Sequence, residues 1–555
     1  MMLFASISFL IALNQAPTSV IDTSASMTIR GTPDQIRGES GPGAARFEVL
    51  KKGETAYAGE VTTPISIIEI KKGDALYLTY EARCLAAKNE SQTGNWNVRV
   101  QRTGPPYDGP FDGSSTAGKE WRRFHFAFRA DKDYPLGAMV TTFHVATSPQ
   151  TLEFRDIKWL DYGPNKDLAE FPVSKLTYEG QDAHAAWRAK AAAMIEEYRK
   201  AKLEIHAQPG AMVHVKMLRH AYPFATVTGV DPKRTDPDAE KFFAFMKANY
   251  SRVTVPIYWT DWGWESPEAR QRYLENIAWC FKNGYRMKGH NMIWPSYHWA
   301  PSRLKSLDNT QLRVEISKAL DERLSVLKTV PFETVDVVNE LVSEHDFEDK
   351  IGLDFAVEAF KKSRATWPKA DLVYNDYLVQ DGVGVNPKYL GYAKKLKALG
   401  APITLLGYQA HFGEALPAIT WLWTLLDTAQ RETGLPVEIT EFDLNTRDDE
   451  TQGEYTRDLV TAWFAHPASK GFTMWGFWEG DHWIPSSAMI RKDWTLRPAA
   501  KIWHELITKT WWTDVTVRAD ANGVARVRGF KGDYEVSTGN RSKHVSLTAS
   551  SVVKL

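Results

Sequence analysis

Glu340 and Glu441 are the two residues of this chain whose type and spacing could do chemistry. Each ends a short apolar run rich in β-branched residues, Thr334-Val-Asp-Val-Val-Asn-Glu340 and Pro436-Val-Glu-Ile-Thr-Glu441. Such runs read as strands buried on both faces. A carboxylate at the carboxyl end of such a strand emerges at the rim of its sheet, and in a closed barrel that rim is the catalytic mouth. Two carboxylates facing each other there are the minimal equipment for cleaving a glycosidic bond. A retaining reaction asks one to hold a proton near neutrality and the other to stay ionised, about 5 Å away. Glu340 follows valines, so desolvation, together with the charge of Glu441, would raise its pKa. Taken singly, either glutamate could instead be a surface ion-pair partner, a reading the aligned pair disfavours.

The surrounding sequence must position this pair. Between about Tyr222 and Lys509, apolar runs alternate with amphipathic segments. The expected strands are Phe224–Val230, Arg252–Ile257, Arg286–Trp294, Thr334–Glu340, Asp371–Asn375, Ile403–Gln409, Val437–Glu441 and Gly471–Trp478. Helices are expected over Pro237–Tyr250, Pro267–Asn283, Asn309–Lys328 and Pro387–Leu399. Eight such units make a (β/α)8 TIM barrel over residues 221–510. A doubly wound open sheet is the alternative, but no glycine-rich phosphate loop follows the first strand.

The rest reads as further domains. Residues 40–162 alternate with period two between Gly- and Pro-containing turns, the pattern of an all-β jelly-roll sandwich. Everything before about Ala45 is rich in Ser, Thr, Gly and Pro, and reads as a linker or a loosely attached edge. Residues 163–202 read as linker and connecting helix, 203–220 as a β-hairpin, and 511–555 as a small β unit that packs with that hairpin. Leu3–Leu13 fits the core of a signal peptide ending near residue 17, although no Lys or Arg precedes it. The expected location is therefore secreted or periplasmic. No other run is long enough to cross a membrane.

Composition narrows the partners. Formal net charge is zero and charged residues make up 25% of the 555, so nothing points to nucleic acid or to a membrane surface. Cys84 and Cys280 fall in different expected domains and have no metal-ligand spacing. Twenty-one tryptophans suit stacking on sugar rings as well as core packing. In the sandwich, core packing is favoured for Trp121, and Trp96, Tyr107 and Phe143 fit either role. No cofactor is expected, and the chain is expected to act as a monomer on a polysaccharide.

At six strand ends the sequence resembles glycoside hydrolase family 10, the retaining endo-β-1,4-xylanases. The motifs run in the family's order: Gly289-His-Asn-Met-Ile-Trp294, Asp336-Val-Val-Asn-Glu340, Asn375-Asp-Tyr377, Gln409-Ala-His411, Ile439-Thr-Glu441-Phe-Asp443 and Trp475-Gly-Phe-Trp-Glu-Gly-Asp-His-Trp483. The sandwich resembles, in pattern alone, the carbohydrate-binding modules appended to such enzymes. The resemblance implies Glu340 as acid/base and Glu441 as nucleophile on xylan or xylo-oligosaccharides. It also implies that Asn339 binds the sugar 2-hydroxyl and that His411 steers ionisation of the nucleophile. His290, Trp294, Gln409, Trp475 and Trp483 would line the subsite before the scissile bond. Trp294 and Trp483 could also be rim or core residues.

The strand-two segment departs from the family. Val255-Pro-Ile-Tyr-Trp-Thr-Asp-Trp-Gly-Trp264 carries aromatic residues where the family has an Asn and a Lys. Pro295, Tyr297 and Glu479 also differ, so another plant or algal β-glycan is the alternative substrate. Two rivals stand beside this reading. His290, His411, Glu340 and Glu441 could ligate a metal, although the first strand has no paired histidines. The barrel could instead be a catalytically weak polysaccharide-binding protein.

Overall fold

The computed structural model describes residues 16–87, 94–229, 231–376, 379–380, 384–385, 387–413 and 416–555. The apolar run expected as a signal peptide lies outside them, as do Val230 and Tyr377. The chain divides into two compact units between Thr177 and Tyr178.

The first unit is the expected sandwich. One antiparallel sheet runs in the order Ile36–Gly41, Ala44–Val49, Gln150–Asp161, Ala75–Ala87, Arg122–Arg129, with Thr18–Ser19 also paired to Gln150–Asp161. The other runs Thr28–Gly31, Gly59–Thr62, Met139–His144, Gly94–Arg102, Phe111–Ala117. Alternate side chains from both sheets fill a core that includes Tyr80, Trp96, Phe143 and Phe154. Two expectations are corrected here. The Gly- and Ser-rich residues before Ala45 are strands of the sandwich, because an edge strand such as Ile36-Arg-Gly-Glu-Ser-Gly41 buries few side chains and so needs little apolar alternation. Trp121 is half-buried outside the core, its ring covered by the guanidinium groups of Arg83 and Arg155 at 4.6 and 3.8 Å.

The second unit is built on a closed barrel. Its strands are β1 (Phe224–Val227), β2 (Arg252–Pro256), β3 (Arg286–Ile293), β4 (Phe332–Asn339), β5 (Asp371–Asp376), β6 (Leu405–Tyr408), β7 (Val437–Leu444) and β8 (Ser469–Met474). Each lies on the run expected for it. Neighbours pair in parallel in chain order, and β8 pairs back to β1. The connecting helices begin at strong caps. Asp236 accepts from the Ala239 N–H ahead of a helix that opens with Pro237, and Asp308 forms a capping box with Gln311.

The segment expected as a hairpin is not one. Lys200–His206 and Met212–His220 follow each other around a turn, but each finds its partners in the tail. The former pairs with Val524–Phe530 and Ser551–Lys554, the latter with Asp514–Arg518 and Gly532–Thr538. A lone hairpin is barely stable in water, whereas two small sheets built from both chain segments bury each strand between others. The expected union of this segment with the tail is therefore present in another pairing. Rings of His220, Phe224, Phe464, Trp511 and Phe530 join this β unit to the start of β1, the end of the barrel away from the mouth. The connecting helix, Ala186–Tyr198, is docked on the barrel by a bidentate Arg188–Asp458 pair at 2.7 and 2.6 Å.

Charges fill part of the barrel interior. Lys288 on β3 lies 3.0 Å from Asp336 on β4 and 3.4 Å from Glu438 on β7, and Arg252 on β2 also donates to Glu438. All four side chains are essentially inaccessible to water. Lys288→Ala leaves two buried carboxylates short of the cation they share, so stability should fall by about 3–5 kcal/mol in denaturant unfolding. A loss under about 1 kcal/mol would show that the cluster does not support the barrel.

Candidate active site

Glu340 stands one residue beyond β4, where the chain turns out of the sheet. Its backbone is left-handed (φ 59°), a conformation a non-glycine residue adopts only when its surroundings impose it. Those surroundings are its N–H donating to the Asn375 carbonyl (2.8 Å) and its carbonyl accepting from Glu344 (2.7 Å). The carboxylate accepts from Trp294 Nε1 (3.0 Å), Gln409 Nε2 (2.6 Å) and Asn339 Nδ2 (3.2 Å). Burial and the negative charge of Glu441 push its pKa up, and the donors from Gln409 and Trp294 offset this only in part.

Glu441 lies inside β7 and is almost fully buried. Oε1 accepts from Asn375 Nδ2 (2.7 Å) and has His290 Nε2 at 4.0 Å, while Oε2 has His411 Nε2 at 3.2 Å. Burial works to raise its pKa, but His290 and His411 outweigh it and hold the group below the ordinary carboxylate range. Each imidazole is itself tied to a carboxylate. His290 Nδ1 lies 2.7 Å from Asp336, and His411 Nδ1 lies 3.1 Å from Asp443. Against the cost of burial, Glu441 and Asp336 raise His290, and Asp443 and Glu441 raise His411 to about 10. The mouth thus holds one glutamate that favours its proton and one that favours its charge.

Amides connect the two. Asn375 donates to Glu441 and to Asn339 Oδ1 (2.7 Å), and Asn339 donates to Glu340. Gln409 donates to Glu340 through its side chain, and its carbonyl accepts from the Glu441 N–H (3.0 Å). Ala410, between Gln409 and His411, is a second non-glycine residue with left-handed backbone (φ 63°). The side chains on either side of it reach one acid each, Gln409 to Glu340 and His411 to Glu441.

Residues 271–504 match the model of Glycosyl hydrolase family 10. The match lies within the barrel and covers under half of the chain. The chain is 27% identical over 343 residues to Endo-1,4-beta-xylanase 1 of Arabidopsis thaliana, covering 60% of this chain and 35% of that protein. It is 26% identical over 365 residues to Anti-sigma-I factor RsgI6 of Acetivibrio thermocellus, covering 63% and 46%. It therefore spans less than half the length of either relative. Among solved structures, xylanase 10B from Thermotoga maritima aligns with a TM-score of 0.45 at 20% identity, over 52% of this chain and 96% of that one.

On this barrel the residues singled out from sequence come together at one mouth. Trp475 packs edge-on against His290 (ring centroids 5.1 Å). Trp483 is 59% exposed, donates to Asp443 Oδ2 (2.7 Å) and abuts His411. Trp294 donates to Glu340 and stacks on Trp299 at 4.3 Å. The divergent strand-two segment also reaches the site, with Tyr258 packed on His290 (5.4 Å) and near Trp294 (6.1 Å). Glu479 is committed elsewhere, accepting from the Lys492 N–H at 2.7 Å.

Sequence reasoning gave no role to Asp336, Lys288, Asn375, Asp443 or Tyr258. A signal existed for Asp336, a charge interrupting a run of valines, and for Asp443, which follows Glu441 by one strand period. Trp299 offered none.

A double displacement at this pair would use Glu441 ionised and Glu340 protonated, so activity should fall as pH drops through the lowered pKa of the one and as pH rises through the raised pKa of the other. His411→Ala removes a cation from Glu441, and the acid limb of kcat/KM should move to higher pH while the alkaline limb moves less. An unmoved acid limb would show that His411 does not set the charge of Glu441.

Proposed function

We propose that the chain hydrolyses internal β-1,4 linkages of xylan or xylo-oligosaccharides with retention of configuration. The reading is carried by one observation, that Glu340 and Glu441 meet at one mouth joined by the Asn339–Asn375 amide bridge, and the opposite directions of their pKa shifts agree with it. Glu441 attacks the anomeric carbon while Glu340 passes its proton to the departing glycosidic oxygen. Loss of that proton leaves Glu340 a carboxylate beside a glycosyl ester, the state in which it can take a proton from water. That water attacks the same carbon, and Glu441 leaves as a carboxylate. Asn339 and Asn375, already fixed by the bridge, are placed to hold a sugar hydroxyl as charge develops at the ring. The family's established substrate and the name of the Arabidopsis relative, Endo-1,4-beta-xylanase 1, support xylan. The apolar run Leu3–Leu13 supports export, since an insoluble polymer is met outside the cytoplasm.

Glu340→Ala and Glu441→Ala should each lower cleavage of native polymer by about 10²–10⁴-fold or more. Azide should restore turnover of an activated aryl glycoside in both, giving the β-azide with the former and the α-azide with the latter. The same anomer from both, or full activity in either, would overturn the assignment. A panel of xylan, glucan and mannan followed by proton NMR tests the substrate. Cleavage of another β-glycan and not of xylan would overturn that part and leave the mechanism standing.

A further inference from the structure

The chain that leaves β2, Ile257-Tyr-Trp-Thr-Asp-Trp-Gly-Trp-Glu-Ser266, carries four aromatic residues, and the fold puts them to two uses. Trp259 and Trp264 are buried and anchor the segment. The Trp259 indole donates to Glu265 (2.8 Å) and has the Arg323 guanidinium over it at 5.1 Å, while the Trp264 N–H donates to the Tyr258 carbonyl (2.8 Å). The turn between them is tight. A Cβ on Gly263 would fall 2.5 Å from the Tyr258 carbonyl oxygen and 2.6 Å from Thr260 Oγ1, so a larger residue there would shift the backbone. Tyr258 and Trp262 are left uncovered by this arrangement, Tyr258 half-buried and Trp262 55% exposed.

Trp262 does not stand alone. Its ring meets Tyr258 at 5.3 Å, Tyr258 meets Trp294 at 6.1 Å, and Trp294 stacks on the half-buried Trp299 at 4.3 Å. A single exposed apolar side chain means little, but a connected row of them marks a surface built for contact. The row begins at the reacting groups. Tyr258 packs edge-on against His290, which lies 4.0 Å from Glu441, and Trp294 donates to Glu340. Burial pushes the Tyr258 hydroxyl well above its ordinary range, and the charges of Glu441 and Glu340 add to the rise, as expected of a ring beside both carboxylates. The segment offers no cation, since no Lys or Arg occurs in it. Its exposed acids flank Trp262 in sequence and are engaged, Asp261 with the Ser302 N–H (2.9 Å) and Glu265 with Trp259 and Arg303 (3.0 Å). Arg303 is itself shared with Glu315 (2.6 Å).

We propose that Tyr258 and Trp262 determine specificity, as a fixed stacking surface that takes an uncharged pyranose unit beside the reacting pair and turns away a uronate unit. This rests on the glycosidase reading for the reaction that the selected unit enters. The C–H face of a pyranose is apolar and lies flat on an indole or phenol ring. A carboxylate brought to the same surface would lose water, gain no cation and meet two acids. Because the anchors hold the rings in place before the sugar arrives, little ordering is left to oppose binding.

The test uses the full chain carrying Glu441→Ala, so that ligand is not consumed. Isothermal titration calorimetry is run with xylohexaose, cellohexaose and a hexamer of β-1,4-linked glucuronic acid, in which every unit is charged. At least one neutral hexamer should bind, with the same affinity at low and high salt. The uronate hexamer should bind at least about tenfold more weakly. Adding Trp262→Ala should weaken the neutral hexamer about tenfold, and Trp262→Phe should stay within about twofold of the parent. Both should keep the parent's melting temperature, because the ring they alter is exposed. In the active protein Trp262→Ala should raise KM with kcat held. Neutral binding indifferent to Trp262→Ala, a uronate hexamer bound as tightly as a neutral one, or no binding by any hexamer would each overturn the proposal. Cleavage with an indifferent Trp262 would sink this proposal and leave the glycosidase reading standing. Binding through Trp262 without cleavage of any glycan would do the reverse.

Discussion

Glu441 is an anion with almost no water around it, and the rest of the mouth is arranged so that it can remain one. Two imidazoles face it, and each leans on a carboxylate of its own, His290 on Asp336 and His411 on Asp443. The ladder continues downward through Lys288, which ties Asp336 to Glu438 and Arg252 in the barrel interior. Its members come from β2, β3, β4 and β7 and from the segment after β6. No subset of the barrel could assemble it, and closure of the sheet is a condition of the chemistry.

Such a ladder is not the most stable filling for a barrel. Buried ion clusters are frequently matched or bettered by apolar packing of the same volume. What apolar side chains cannot do is hold one glutamate charged while its neighbour across the mouth is driven toward its proton. Glu340 sits among donors that favour its anion, yet burial and the field of Glu441 prevail. In the proposed double displacement the two preferences are coupled: an esterified Glu441 carries no charge, so one cause of the raised Glu340 pKa is gone and the acid can serve as the base.

The barrel strands were legible because parallel strands buried on both faces leave unbroken apolar runs, and their carboxyl ends mark the mouth. Glu340 and Glu441 could be named for that reason, whereas His290, Gln409 and His411 were named through the family resemblance. Partner choice was not legible. Nothing local in Leu203–Met217 says that its two strands pair with a tail three hundred residues away and not with each other. The early strand Ile36–Gly41 was hidden because an edge needs few apolar residues, and Trp121 because a tryptophan capped by two arginines looks in sequence like any core tryptophan. Lys288 and Asp336 escaped because a charge inside a barrel declares its role only through its partner.

The most direct test is to watch the two carboxyl groups titrate. With glutamate labelled at the side-chain carboxyl carbon, and with Glu340→Gln and Glu441→Gln used for assignment, carbon NMR should show Glu340 titrating above the ordinary glutamate range and Glu441 below it. In the Glu441→Gln protein the Glu340 transition should move down, because the charge that raised it is absent. Two carboxyls titrating together near the usual value, or a Glu340 transition indifferent to the loss of Glu441, would contradict the account.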